Sequence, residues 1–407
     1  MTNEFRLKAS LFINYFVFAI LLNSVGIVIL KSIQNYGVDE VKASTLELFK
    51  DLPIAIVSFL VASFLPKIGF KKAMLIGLGL VSLGCILMYF GNSFNTSRVL
   101  FALVGISFAL IKVSVYSMIG LVTKSDKEHS AMMSTIEGVF MFGIALAYFL
   151  FPAFNNDLYP NSWLNVYWLL AALSLLSFIF LWTTPFEEQK ENNDLNSNDF
   201  KQMFALMTKI LVIVFVISAF LFVMIEQGIM TWLPTFNKEV IKLSTNVSIM
   251  MASILAISLG IGRLIAGILA KFIPVAYILI GCIFGAIALV VFVLPKTATL
   301  TSLNYEINSF TEIPLIAFAF PFVGLFIAPI YPLLNSTVLN SLPLTLHAPM
   351  TGLIVIFSAL GGTIGSRIVG YTFREFGPQN GFYFTLFPLI LLLICVFLLE
   401  KLRKKEG

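Results

Sequence analysis

The chain has 407 residues, 59% of them hydrophobic and only 12% charged, with a mean hydropathy of +0.96. Soluble domains carry about 45–50% apolar and about 25% charged residues, so a water-soluble enzyme or binding module is excluded and an all-α integral membrane protein is expected. The net charge of +5 marks no nucleic-acid surface, because the basic residues gather in the short gaps between apolar runs, where they set topology.

A membrane span needs about 20 apolar residues. Twelve runs meet that length: 9–30, 43–65, 72–91, 98–122, 132–154, 163–184, 210–236, 245–272, 275–295, 312–341, 348–373 and 379–399. The first follows "MTNEFRLK" without a small-residue cleavage site, so it reads as a retained span rather than a signal peptide. The polar, Asn-rich stretch from Pro185 separates six spans from six, as a flexible linker would. The expected organisation is a first bundle over 1–184, a cytoplasmic linker over 185–209 and a second bundle over 210–407. Arg6, Lys8, Lys67, Lys71, Lys72, Lys124, Lys127 and the basic C-terminus all fall on one side of a twelve-span path. By the positive-inside rule both termini are cytoplasmic.

An ionisable residue inside a span is a functional candidate, since it must meet a partner or water. In the second span, Glu47, Lys50 and Asp51 lie at i, i+3 and i+4, hence on one helical face. They read as a proton-coupling group or as a salt-bridge cluster that pins the helix. In the fourth span Lys112 interrupts "FALIKVSVYSMIGLV", at a cost of at least ~2.5–3.5 kcal/mol if left facing lipid. Glu137, about a turn and a half into the fifth span, falls within roughly 7–8 Å of it in depth. Lys112 is expected to bind an anionic group of the solute or to release Glu137 as solute binds. A glutamate that gains and loses a lysine partner has two proton affinities, which is what coupling requires.

Glu226 and Gln227 sit near the middle of the seventh span, followed by Trp232, a possible stacking surface for a sugar. In the tenth span Tyr331 and Asn335 can bind hydroxyls, as can Tyr116 in the fourth. "VGISFALIKVSVYS" from Val104 and "VGLFIAPIYPLLNS" from Val323 align without gaps, pairing Lys112 with Tyr331 and Tyr116 with Asn335. Two related six-span halves are the layout of a transporter with its site at the repeat interface. Cys85, Cys282 and Cys395 show no metal or disulfide spacing, His129 and His347 offer no metal constellation, and no Ser-His-Asp or Cys-His arrangement suggests catalysis, so neither a metal nor a catalytic residue is expected. The chain carries no phosphate-binding loop of the Gly-rich Lys-Ser/Thr kind, so ATP is not the expected energy source.

These features resemble the major facilitator superfamily. Its loop between spans 2 and 3 usually reads Gly-x-Leu-Ala-Asp-Arg-x-Gly-Arg-Lys. Here "ASFLPKIGFKKAML" keeps Lys67, Gly69 and Lys71 and has Pro66 at the Asp position. The second-half counterpart, "GIGRLIAGILAKF", supplies Arg263. The resemblance implies gating roles for Lys67, Gly69, Lys71 and Arg263. Within the superfamily, "EQGIMTWLPTF" and "APIYPLLNS" are similar to the fucose permease-like, proton-coupled sugar symporters. That family's membrane-embedded proton glutamate falls on Lys112, and its first-span aspartate has no counterpart near Asn23, so its proton site does not transfer residue by residue.

The expected function is proton-coupled symport of a small polar solute, a sugar, an anionic sugar derivative or an organic acid, by alternating access. The expected cofactor is none, with a proton gradient as energy source and sodium left open, and the expected working unit is a monomer in the inner or plasma membrane. Two readings stand beside it. One is a proton-antiporting exporter of lipophilic compounds, disfavoured because the fifth span offers only Gly138 and Gly143 with Pro152 at its end, not the Gly-Pro…Gly-Gly pattern of drug antiporters. The other is a membrane sensor that kept the fold.

Overall fold

The computed structural model describes residues 3–122, 126–156, 158–185, 205–270, 272–297, 306–339 and 347–406. Most of the expected linker, and the side chains of Lys67 and Glu137, lie outside the described residues. Each of the twelve apolar runs is helical over most of its described residues. Lipid offers no hydrogen-bond partners, so every backbone polar group must pair inside its own segment. Ten helical stretches among the described residues are long and apolar enough to cross a membrane. The second span opens with three charges, and in the fifth the apolar stretch is the shorter Val139–Phe154.

The chain divides into two compact units, Met1–Val38 with Thr45–Leu195, and Asp39–Ser44 with Asn196–Gly407. In the first unit the helices are α1 (Asn3–Asn23), α2 (Val25–Tyr36), α4 (Thr45–Ile68), α5 (Phe70–Gly91), α6 (Phe94–Val122), α7 (Asp126–Phe154) and α8 (Val166–Thr183), with α3 (Glu40–Ala43) lying between α2 and α4 in sequence. The first span is therefore two helices, not one. The break falls at Ser24, whose hydroxyl donates to Leu21 O at 2.8 Å and so competes with the backbone ladder. Helix α6 is the hub, packed against α4, α5 and α1, while α1 also packs on α7 and α8. Small residues allow the close approaches that hold membrane helices together. At Gly105 of α6, an added Cβ would lie 2.3 Å from Lys50 O of α4.

The second unit contains α9 (Ile210–Glu239), α10 (Thr245–Met251), α11 (Ser253–Leu269), α12 (Val275–Thr297), α13 (Leu315–Ala319), α14 (Val323–Ile327), α15 (Ile330–Leu339), α16 (His347–Phe376), α17 (Pro378–Gly381) and α18 (Leu386–Glu406). The tenth span is broken into α13 to α15 around Pro321 and Pro329, because proline supplies no N–H to the ladder. The tightest pair is α9 with α16. Cβ atoms added at Gly361 and Gly365 would each lie 2.3 Å from an α9 carbonyl, those of Phe220 and Met224. That contact fixes the α9 backbone immediately before Glu226.

Helix α3 belongs to this second unit although its sequence neighbours do not. Asp39 caps it, accepting from Lys42 N at 2.7 Å. Arg367 of α16 donates to Val41 O at 2.7 Å, and Gly370 leaves room for the Glu40 carbonyl and the Trp232 indole.

Candidate functional sites of the two units

Among the described residues of the first unit, the second-span charges form the most enclosed ionic group. Glu47, Lys50 and Asp51 are 0%, 2% and 6% exposed. Lys50 Nζ lies 2.5 Å from Glu47 Oε2 and 3.5 Å from Asp51 Oδ1. The helical spacing puts the three on one face, and the α4–α6 contact at Gly105 presses that turn into the bundle. Tyr148 of α7 lies near Glu47. Asp51 Oδ2 is buried without a hydrogen-bond partner among the described residues. Two carboxylates thus share one ammonium in a dry setting, where an unbalanced charge is costly.

Lys112 is exposed on α6, and its ammonium lies 5.8 Å from the Phe108 ring centroid and 5.9 Å from that of Tyr116. Both rings are within cation–π range. They belong to a cluster built from three helices: Tyr15 of α1 meets Tyr116 through their hydroxyls at 3.1 Å, and Phe140 of α7 sits 4.9 Å from Tyr15 and 6.0 Å from Phe108. The lysine therefore rises from an aromatic floor shared by α1, α6 and α7. Glu137 precedes Phe140 by three residues on α7.

In the second unit, Glu226 and Arg263 come together. Arg263 Nη2 lies 3.3 Å from Glu226 Oε1, with side-chain exposures of 34% and 14%. Tyr331 is close enough to feel both charges. Its hydroxyl is 3.1 Å from Ser358 Oγ, and its ring stacks on Phe222 at 5.3 Å and 24°. Asn335, one turn along α15, holds Oδ1 buried without a partner among the described residues. Gln227 is half-buried next to Glu226.

Three residues singled out in the sequence make specific contacts within their own units. Trp232 is 0% exposed, donates to Ser366 O at 2.9 Å and packs 5.1 Å from Phe373. It offers no open ring face to a sugar in this structure and joins α9 to α16. Arg263, expected as a gate, pairs with Glu226. Lys71 donates to Thr184 O at 2.7 Å and Trp182 O at 3.1 Å. It thereby closes the C-terminus of α8, where the helix dipole favours a cation. Gly69 precedes α5 at φ +94°, a conformation that L side chains rarely adopt.

Lys31 was not among the residues that sequence reasoning singled out. It is 5% exposed and donates to Asn155 Oδ1 at 2.5 Å. Its place before the polar "SIQNYG" reads as a lysine reaching for the interface. Only the fold brings the end of α7 across it.

No curated protein matches the chain in sequence. Solved structures match over nearly its whole length. One is a bacterial homologue of the human lysosomal transporter Spinster, inward-facing and unoccupied: TM-score 0.75, 12% identity, covering 99% of this chain and 97% of that one. The nucleoside transporter NupG matches with TM-score 0.72 and 14% identity, over 98% and 100%. The E. coli fucose:proton symporter matches with TM-score 0.63 and 14% identity, over 98% and 99%. At such identities the likeness is one of fold. The profile of the Major Facilitator Superfamily matches residues 9–366. Its span, the twelve helical runs and the intramembrane charges agree: the chain belongs to the Major Facilitator Superfamily, a family of secondary transporters rather than enzymes.

Proposed function

We propose that the protein is a proton-coupled symporter of a small polar solute, a sugar, sugar acid or other organic acid, working by alternating access as a monomer with both termini in the cytoplasm. The observation that carries the coupling is the buried Glu47–Lys50–Asp51 group, with two carboxylates to one ammonium. Such a site is neutral when it takes up one proton, and loses that neutrality when the proton leaves. Glu137, one turn before the aromatic floor under Lys112, is the second candidate carrier. Lys112 supplies a reachable cation for an anionic solute group, and Tyr116 supplies a hydroxyl beside it.

The finer placement near fucose permease-like sugar symporters rests on Glu226 with Trp232 in "EQGIMTWLPTF" and on Tyr331-Pro332 in "APIYPLLNS". Related folds whose names specify nucleosides or fucose with protons fit a polar solute. The test is uptake into proteoliposomes with and without an imposed inward proton gradient, after a thermal-shift screen of sugars, sugar acids and amino sugars. Uptake that ignores the gradient, or that follows sodium instead, sinks proton coupling.

A further inference from the structure

The two units use one packing device in one register. In the first, a Cβ added at Gly105 of α6 would lie 2.3 Å from Lys50 O and 3.2 Å from Pro53 Cβ of α4. In the second, one added at Gly324 of α14 would lie 2.9 Å from Leu255 O and 3.0 Å from Ser258 Cβ of α11. Gly105 and Gly324 are matched glycines in the gapless alignment that opens at Val104 and Val323. Each meets a carbonyl of the facing helix and, three residues on, a Cβ. Lys50 therefore corresponds to Leu255, and Pro53 to Ser258. A third contact agrees: Gly77 of α5 faces Ser107, and Gly285 of α12 faces Phe326, the residue aligned with Ser107. Exposure follows the same register. Leu52, Ile56 and Leu60 are exposed along α4, and their counterparts Ile257, Ile261 and Ile265 are exposed along α11.

This register places Ala252, Leu255 and Ala256 where the first unit has Glu47, Lys50 and Asp51. They are 1%, 1% and 6% exposed, against 0%, 2% and 6% for the charged three. Ala252 keeps right-handed helical angles, φ −67° and ψ −17°, so the turn leading to Leu255 is preserved across the junction of α10 and α11. One fold thus buries the same three positions to the same depth twice, once with three ionisable groups and once with none. Packing this turn against the facing glycine requires no charge. Charge there carries a cost, because mutual attraction repays the lost hydration only in good geometry, and apolar side chains of similar volume are often as stable or more so. A brace is expected in both halves, a site in one.

We propose that Glu47, Lys50 and Asp51 are an ion-coupling site confined to the first unit, set into a position that the repeated fold fills equally well with apolar side chains. This rests on the proton-coupling reading above and adds that the group does not brace the bundle. The test removes all three charges together from the full-length protein. Glu47→Ala/Lys50→Leu/Asp51→Ala copies the second unit, and Glu47→Met/Lys50→Met/Asp51→Val keeps more volume where the copy would leave a void. In detergent at least one of the two is expected to stay monodisperse, with a thermal midpoint within about 4 °C of the parent's or above it. Lys50→Met alone strands two carboxylates and should melt well below that triple variant. In proteoliposomes, with L-fucose, D-glucuronate and D-glucosamine as the first probes, the folded triple variant should still exchange the probe that the parent takes up. An inward proton gradient should no longer drive its accumulation.

The two levels fail differently. If both triple variants melt as low as Lys50→Met or lower, the group is a brace and the inference is overturned, while proton coupling is still decided by Asp51→Asn. A folded triple variant that accumulates its probe under the gradient as the parent does overturns the coupling site and leaves transport standing. Absence of uptake by the parent for every solute of the screen removes the transport reading, and this site falls with it.

Discussion

The carbonyl of Lys50 occupies the space that a side chain on Gly105 would need: an added Cβ would stand 2.3 Å from that oxygen. The contact is backbone to backbone, so no rotamer change relieves it. Gly105→Ala should push α4 from α6 at the turn that carries Glu47, Lys50 and Asp51. Overpacking of this kind costs about 1–3 kcal/mol. The expected outcome is a lower melting temperature in detergent together with strongly reduced uptake. A variant as stable and active as the parent would mean that α4 shifts freely.

The charge count of the same group gives a second prediction. With Asp51→Asn, Glu47 and Lys50 form a balanced pair and the site no longer needs a proton. Uptake should persist under solute exchange and lose its response to an imposed pH gradient. If the response is intact, proton carriage belongs to Glu137, and Glu137→Gln should be the variant that decouples. Lys50→Met leaves two carboxylates without a cation and should destabilise by about 3–5 kcal/mol, read as failure to fold or a large drop in thermal midpoint.

Lys112→Ala should abolish uptake with little change in melting temperature. The residue is exposed, and the neighbouring Phe108 and Tyr116 rings contribute about 0.5–1 kcal/mol of cation–π attraction at such a site. Those rings keep their contacts with Tyr15 and Phe140 when the lysine is removed. Unchanged uptake would remove Lys112 from the mechanism.

The helices were legible in the sequence because lipid leaves the chain little choice: a run of apolar length must close its own backbone bonds. The Glu47–Lys50–Asp51 grouping was legible for a related reason, since one helix turn brings it together. The Glu226–Arg263 pair spans two helices, and no local pattern links residues 37 positions apart. The packing of Trp232 was not legible because an aromatic residue reads alike whether its ring faces a solute or, as here, Gly370 and Phe373. Lys31 was hidden by its position near a helix end, where lysines usually reach water. The breaks at Ser24 and around Pro321 depend on hydroxyl and proline geometry, which hydropathy ignores.

Lys71, in the first turn of α5, allows a sharper test than deletion of the turn before it. Lys71 donates to the last carbonyls of α8 at Trp182 and Thr184. Lys71→Met should cost about 1 kcal/mol through the lost helix-end interaction, and Lys71→Arg should restore most of it. A gating role predicts more: Lys71→Met would change uptake rate by a larger factor than the melting shift implies. Equal loss in both measurements would make the residue a cap alone.

Trp232 separates packing from solute recognition. Its indole donates to Ser366 O and lies 3.1 Å from Ser366 Oγ, while Gly370 admits the ring edge. Trp232→Phe removes the donor and part of the ring, so a buried acceptor loses its partner and a small cavity opens. Together these should destabilise by about 2–4 kcal/mol. Because the ring is fully buried, KM for uptake should stay within about twofold once the amount of folded protein is matched, a shift of only about 0.4 kcal/mol. A large rise in KM with unchanged stability would instead place a solute against the indole, and would require α9 and α16 to part during the cycle.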